Sequence, residues 1–325
     1  MKSSHQVKSW LLLFVSLIMI TGIISCEGLE ESVIQNDQNS SSSNNTTAQD
    51  PPLEINTGLS SQTFTFEQTE REYLIYIPTN YTSSTSHPMM LNFHENGGTH
   101  SSLYELSGLQ SVANEHSVVL IYPQGATGGS GTTEWNAYVG ANNKSSTDDF
   151  GFIDALITEL IASYSIDSSR IYALGYSNGG MMAYALACYK SDLIAAVGSV
   201  SGTMMTNTIQ NCNPSHPTGI INIHGTYDYI LPYDGGYYGY ASIQDVINYW
   251  ISANHTESIP TTANIEPNIE TYMYENGDQN VSIAHYKINQ GYHSWLTLNI
   301  NGLSTSEILW NYLSQYSTNG RLEME

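Results

Sequence analysis

One serine interrupts two apolar runs in "IYALGYSNGGMMAYALACY", residues 171–189. Gly175, Tyr176, Ser177, Asn178 and Gly179 form a G-x-S-x-G pentapeptide, with a strand-like run before it and a helix-like run after it. A strand that turns into a helix this abruptly has no room for side chains at the glycine positions. It forces the serine into a strained backbone conformation and lifts its hydroxyl clear of the chain. The free N–H groups at the start of the helix suit a developing oxyanion. Ser177 is therefore the expected nucleophile.

A serine alcohol needs a base, and the base needs an orienting acid. Asp228 follows the strand-like "GIINI" within "HGTYDYILPYDGG", 51 residues after Ser177. His293 follows the strand-like "VSIAHYKI" in "NQGYHSW", a further 65 residues on. The order Ser, Asp, His is expected for a serine nucleophile of this kind. Asp234 is a rival acid but lies further from the strand end. His285 lies inside a strand and His224 at a strand end, so both read as structural. His100, His116, His216 and His255 read as loop or surface residues. No group has metal-ligand spacing, so neither metal nor cofactor is expected.

The oxyanion needs two N–H donors. Asn178, directly after the nucleophile, supplies one. The other is expected from the loop after "MMLNF", which reads His94-Glu95-Asn96-Gly97-Gly98; Glu95 and Asn96 are equal candidates.

These residues must be positioned by regular elements. "QTFTFEQ" and "REYLIYIP" alternate as half-buried antiparallel strands do. From "MMLNF" onward, apolar strand-like runs alternate with helix-like runs: "SSLYELSGLQSVANEH", "FGFIDALITELIASY", "NGGMMAYALACY", "ASIQDVINYWISANH" and "STSEILWNYLSQY". That alternation predicts an α/β domain with a mostly parallel central sheet flanked by helices and antiparallel strands at its N-terminal edge. Ligands bind such sheets beyond the carboxyl ends of the strands, where the four reactive loops fall.

Ahead of Leu59 the chain reads differently. Residues 1–25 carry Lys2, Lys8 and an apolar run from Trp10 to Ile20, the pattern of a secretory leader, and "IISC" places Cys26 as the lipidated residue of a bacterial lipoprotein. Residues 26–58 are expected to be that cysteine and a Ser/Asn-rich disordered tether, 59–318 one domain, and 319–325 a tail. An exported lipoprotein at the outer membrane, periplasm or cell surface is expected, with contact to membrane through its lipid only. The remaining Cys188 and Cys212 are expected to form a disulfide in an oxidising compartment, closing a loop worth ~3 kcal/mol. The chain of 325 residues has a net charge of −22, which excludes nucleic acid as a partner. A monomer is expected.

With these residues in place, the chain resembles the secreted esterase family that groups polyhydroxybutyrate depolymerases with feruloyl and acetylxylan esterases, over about Gln62 to Gln315. "DDFGFIDALITELIASYSIDSSRIYALGYSNGGMMAYALACY", "IHGTYDYILPYDGG" and "GYHSW" carry the resemblance. It implies the α/β-hydrolase fold, a triad of Ser177, Asp228 and His293, and paired cysteines where Cys188 and Cys212 stand. The family has His-Gly where this chain has His94-Glu95. A carboxylate there opposes an oxyanion if it points inward, so Glu95 is expected to point outward or to shape the acyl pocket. Trp135 and the tyrosine cluster at 233–240 are expected to form an aromatic platform for a sugar ring or feruloyl group, with His94 and Tyr176 as further substrate contacts. The expected substrate is a feruloyl or acetyl ester on polysaccharide; a polyester comes second, and acyl transfer on the same triad or sugar binding without catalysis remain as alternatives.

Overall fold

The computed structural model describes residues 55–129, 131–138 and 146–323. The leader, Cys26 and the tether as far as residue 54 lie outside them. The described residues belong to one unit spanning residues 54–325.

Ten strands form one sheet: β1 (Gly58–Phe66), β2 (Thr69–Ile77), β3 (His87–Phe93), β4 (Val119–Pro123), β5 (Ile166–Tyr176), β6 (Ala196–Val200), β7 (Gly219–Gly225), β8 (Thr261–Glu266), β9 (Ile269–Tyr274) and β10 (Ile283–Ile288). Their order is β1-β2-β4-β3-β5-β6-β7-β10-β9-β8. Neighbours from β4 through β10 run parallel, and both edges are antiparallel. The polar edge strand β8 was not among the expected elements. It is exposed along nearly its whole length, so it carries little apolar periodicity to read.

The helices are α1 (His100–Ser107), α2 (Gln110–His116), α3 (Asp149–Ser163), α4 (Asn178–Tyr189), α5 (Thr206–Asn211), α6 (Ile243–Asn254) and α7 (Thr305–Leu313). Successive side chains of a strand face opposite ways. In β5, Ile171 and Ala173 enter the core under α3, α4 and α6, while Tyr172 and Leu174 enter the core under α1, α2 and α7. The sheet is thus apolar on both faces, as a parallel sheet covered by helices requires. Helix α4 is buried from Asn178 to Cys188; its Gly, Ala and Met side chains let it lie against β3, β5 and β6.

Two boundaries differ from expectation. The single helix read over 101–116 is two, because Gly108 takes φ 63° and ends α1. The tail read over 319–325 begins with a hairpin: Tyr316–Ser317 pairs with Gly320–Arg321, and Tyr316 is fully buried. The Cys188–Cys212 disulfide is present and ties the end of α4 to the end of α5. No described helix is long and apolar enough to cross a membrane.

Candidate active site

Ser177 sits at the joint of β5 and α4 with φ 56° and ψ −118°, outside the regions a serine ordinarily occupies. Such a backbone costs roughly 1–3 kcal/mol and persists only when its surroundings over-determine it. Here they do. The Ser177 N–H is bonded to Val200 O at the end of β6. A Cβ on Gly175 would lie 2.1 Å from the Gly179 carbonyl, and one on Gly179 would lie 1.9 Å from Phe93 O. Only hydrogens fit between β5, α4 and the loop after β3.

The hydroxyl meets its expected partners. Ser177 Oγ lies 2.9 Å from His293 Nε2, and His293 Nδ1 lies 2.7 Å from Asp228 Oδ2. Asp228 is buried, and its Oδ1 accepts from the N–H groups of Ile230 and Leu231 at 2.9 and 2.8 Å. Burial alone would raise its pKa; hydrogen bonds and charge from His224 and His293 outweigh this and hold the carboxyl well below the usual range. An ionised Asp228 makes His293 Nδ1 a donor, which leaves Nε2 free to accept the serine proton. Tyr176 stacks on the imidazole at 5.6 Å. Burial, with the charges of Glu95 and Asp228, pushes its phenol up to about 12, so it is a neutral backing to His293. Asp234 is exposed and is not His293's partner.

A second imidazole reaches the acid. His224 is fully buried, with Nε2 2.9 Å from Leu231 O and 3.2 Å from Asp228 Oδ2. Both neighbours are acceptors, so Nε2 carries a proton and donates to them. The sequence reading of His224 as purely structural missed this. The available signal was its spacing: His224 and Asp228 flank the turn at the end of β7.

The loop after β3 lies against the start of α4. Gly97 N–H and Gly98 N–H are bonded to Thr133 O and Glu95 O, which leaves Glu95 and Asn96, with Asn178, as the candidates for the oxyanion donors. The half-buried Glu95 side chain does not join the cavity wall. It folds into its own turn, within 2.6 Å of where a Cβ on Gly98 would lie, and its Oε2 is buried.

Three expected substrate contacts are corrected. Trp135 is buried against Phe93 at 5.1 Å, and its Nε1 donates to His94 O; it is core, not a platform. Its backbone N–H and C=O instead bond the Asn178 side chain, locking the first residue of α4. His94 is buried with both nitrogens engaged, Nδ1 with Glu95 O and Nε2 with Gly125 N–H. Burial pulls its pKa down to about 4, so it is a neutral brace between loops. Tyr176 contacts His293 but does not line the cavity. One further brace was not anticipated: Asp149 pairs with Arg71 at 3.0 Å and accepts from Asn136 N–H, anchoring the segment that carries Trp135.

Beside Ser177 opens a cavity of about 350 Å³, lined by Asn96, Tyr138, Asn178, Met181, Met205, Ile230, Leu231, Tyr238 and Tyr240. Two of the cluster tyrosines thus reach the cavity; Tyr233 instead bonds His285 at 2.8 Å. Among the described residues, no group of three or more potential metal ligands gathers.

This sheet and its flanking helices have the α/β-hydrolase fold. The phospholipase/carboxylesterase family profile matches residues 112–264. The chain is 33% identical over 174 residues to the probable feruloyl esterase C of Aspergillus flavus, covering 51% of this chain and 58% of that protein. It is 25% identical over 257 residues to feruloyl esterase B of Piromyces equi, covering 76% of this chain and 45% of that protein. The chain therefore spans about half the length of the curated relatives it matches. An acetyl xylan esterase structure from Aspergillus awamori superposes with a TM-score of 0.57 at 19% identity, over 78% of this chain and 99% of that one. The fold is that of the α/β-hydrolases, and the related sequences are esterases.

Proposed function

We propose that the chain is an exported serine esterase that hydrolyses carboxylic esters carried on polysaccharide, through Ser177, His293 and Asp228. The observation that carries this reading is the unbroken chain of contacts from Asp228 through His293 to Ser177 at 2.7 and 2.9 Å. Ser177 Oγ attacks the ester carbonyl carbon while its proton passes to His293 Nε2. The tetrahedral oxyanion is held by Asn178 N–H and by a backbone N–H of Glu95 or Asn96. His293 returns the proton to the leaving alcohol. Water then repeats the sequence on the acyl-enzyme and frees the acid.

The acyl group proposed is aromatic, of the feruloyl type. The cavity is within the size range of drug-sized ligand pockets and has Met181, Met205 and Leu231 in its wall, whereas an acetyl group would leave most of it empty. The feruloyl esterase names of the relatives support the same choice. Export on a lipidated Cys26 fits a polymeric substrate that cannot enter a cell, and the Cys188–Cys212 disulfide supports an oxidising compartment.

The test is acid release by the full chain from methyl ferulate, acetylated xylan and polyhydroxybutyrate, beside Ser177→Ala. Ferulate release that falls by a factor on the order of 10³ or more in the variant is expected. Release from polyhydroxybutyrate alone would reassign the substrate to polyesters. No release from any of them, nor from an activated acetyl ester, would refute the hydrolase reading.

A further inference from the structure

Exposed apolar side chains are normal when scattered, and meaningful when gathered. Leu59, Leu106, Ile230, Tyr237, Tyr238, Ile259, Leu303 and Leu322 are exposed. Tyr227, Tyr229 and Tyr292 are 43%, 75% and 61% exposed, and the first two both lie beside Tyr292, with ring centroids 6.0 Å apart for Tyr227–Tyr292 and 6.3 Å for Tyr229–Tyr292. We propose that these three tyrosines form an aromatic platform that stacks on the sugar rings of a neutral polysaccharide bearing the ester. This rests on the esterase reading above and adds to it the site for the alcohol half of the substrate.

The position follows from the chemistry. His293 must hand its proton to the leaving oxygen, so the alcohol half lies on the His293 side of Ser177. Tyr292 precedes His293, and Tyr227 and Tyr229 flank Asp228. The catalytic side chains turn inward and their neighbours turn outward. None of the three tyrosines lines the cavity assigned to the acyl group. The platform is also rigid. Tyr227 N–H bonds Gly291 O at 2.8 Å, Gln290 N–H bonds Thr226 Oγ1 at 2.9 Å, and a Cβ on Gly225 would lie 2.2 Å from Gly291 O. The bonds that join the acid loop to the base loop therefore also hold the backbone from which Tyr227 and Tyr292 project, so little backbone entropy is lost on binding.

Charge selects the ligand. Residues 225–242 and 289–298 contain no Lys or Arg, and the chain carries a net charge of −22. An anionic polymer finds no counter-charge there. A neutral sugar needs none: its C–H face packs on the rings while the phenol groups meet its hydroxyls.

The experiment is affinity electrophoresis of the full chain carrying Ser177→Ala, in gels cast with neutral arabinoxylan. Xylan is expected to retard the protein, and Tyr229→Ala with Tyr292→Ala to weaken that retardation on the order of tenfold. Tyr229→Phe with Tyr292→Phe keeps the ring faces and should stay retarded; it also separates loss of stacking from loss of fold. Equal mobility with and without xylan, or equal retardation of the Ala and parent proteins, overturns the proposal. So does retention by polyhydroxybutyrate granules in place of xylan. Binding here needs no turnover, so failure of the platform and failure of the esterase reading, judged by ferulate release, remain distinct.

Discussion

His224 offers the sharpest test of how the acid is held. Its Nε2–H is shared between Leu231 O at 2.9 Å and Asp228 Oδ2 at 3.2 Å. Replacing it by Leu fills the space but removes one of four donors on the Asp228 carboxylate. A hydrogen bond to a charged group contributes about 1.5–3 kcal/mol. The long, shared geometry puts this one at the lower end, so kcat should fall on the order of tenfold. With one donor gone, the carboxylate is held less firmly and in turn holds the imidazole less firmly in the tautomer and orientation that the serine proton needs. Other groups near His224 are Tyr233, whose ring lies 6.0 Å away, and His285. Both are unchanged in the variant. His224→Gln returns an N–H donor and should restore kcat. The assay is small-ester hydrolysis by the three proteins at one pH. If His224 only fills space, Leu is the better filler of an apolar site and Gln the worse one. That order would refute the reasoning.

Three further outcomes can be checked on the same fold. Gly179→Ala puts a methyl 1.9 Å from Phe93 O, so it should abolish activity and destabilise the protein by about 3 kcal/mol or more, read by urea unfolding. Trp135→Phe loses the bond to His94 O inside the core and should cost roughly 1–3 kcal/mol while leaving the preference among ester substrates as it was; a changed preference would return Trp135 to the substrate site. Burial holds His94 to about 4 and His285 to about 3, so the unfolded chain takes up protons below about pH 6.5 that the fold refuses. Stability present above that pH should be lost as pH falls, by on the order of 1–2 kcal/mol per histidine between pH 6.5 and 4.5. Urea midpoints that stay flat over that window would contradict the neutral buried state of both.

The parts of the fold legible in the sequence are those where the pattern is enforced on every residue. From Ile171 in β5 to Cys188 in α4 every position is buried, and Ser177 is conspicuous among neighbours that are, Asn178 apart, apolar, aromatic or small. Strand β7, Gly219 to Gly225, contains the whole of the strand-like run read from Gly219 to Ile223, for the same reason. The elements that were not legible are held by tertiary contacts. Strand β8 is polar and exposed and exists because β9 offers it an edge. The hairpin at 316–321 depends on Tyr316 finding Ser282 and Tyr312 across the chain, which no local periodicity announces.

The site divides the same way. Ser177, Asp228 and His293 each sit at a strand end, and strand ends can be counted. Trp135 and His224 differ, because their roles depend on which way a side chain turns. A tryptophan in a long Gly- and Thr-rich loop reads as exposed, since loops run over surfaces. Here the loop segment is pulled down by Asp149, which is itself anchored by Arg71 on β2, 78 residues earlier in the chain. That clamp turns Trp135 into the cover of α4's first turn. The side chains that brace the nucleophile are thus drawn from the segment that looked free to bind substrate. The exposed aromatic rings lie on the two loops that the triad already requires to be rigid.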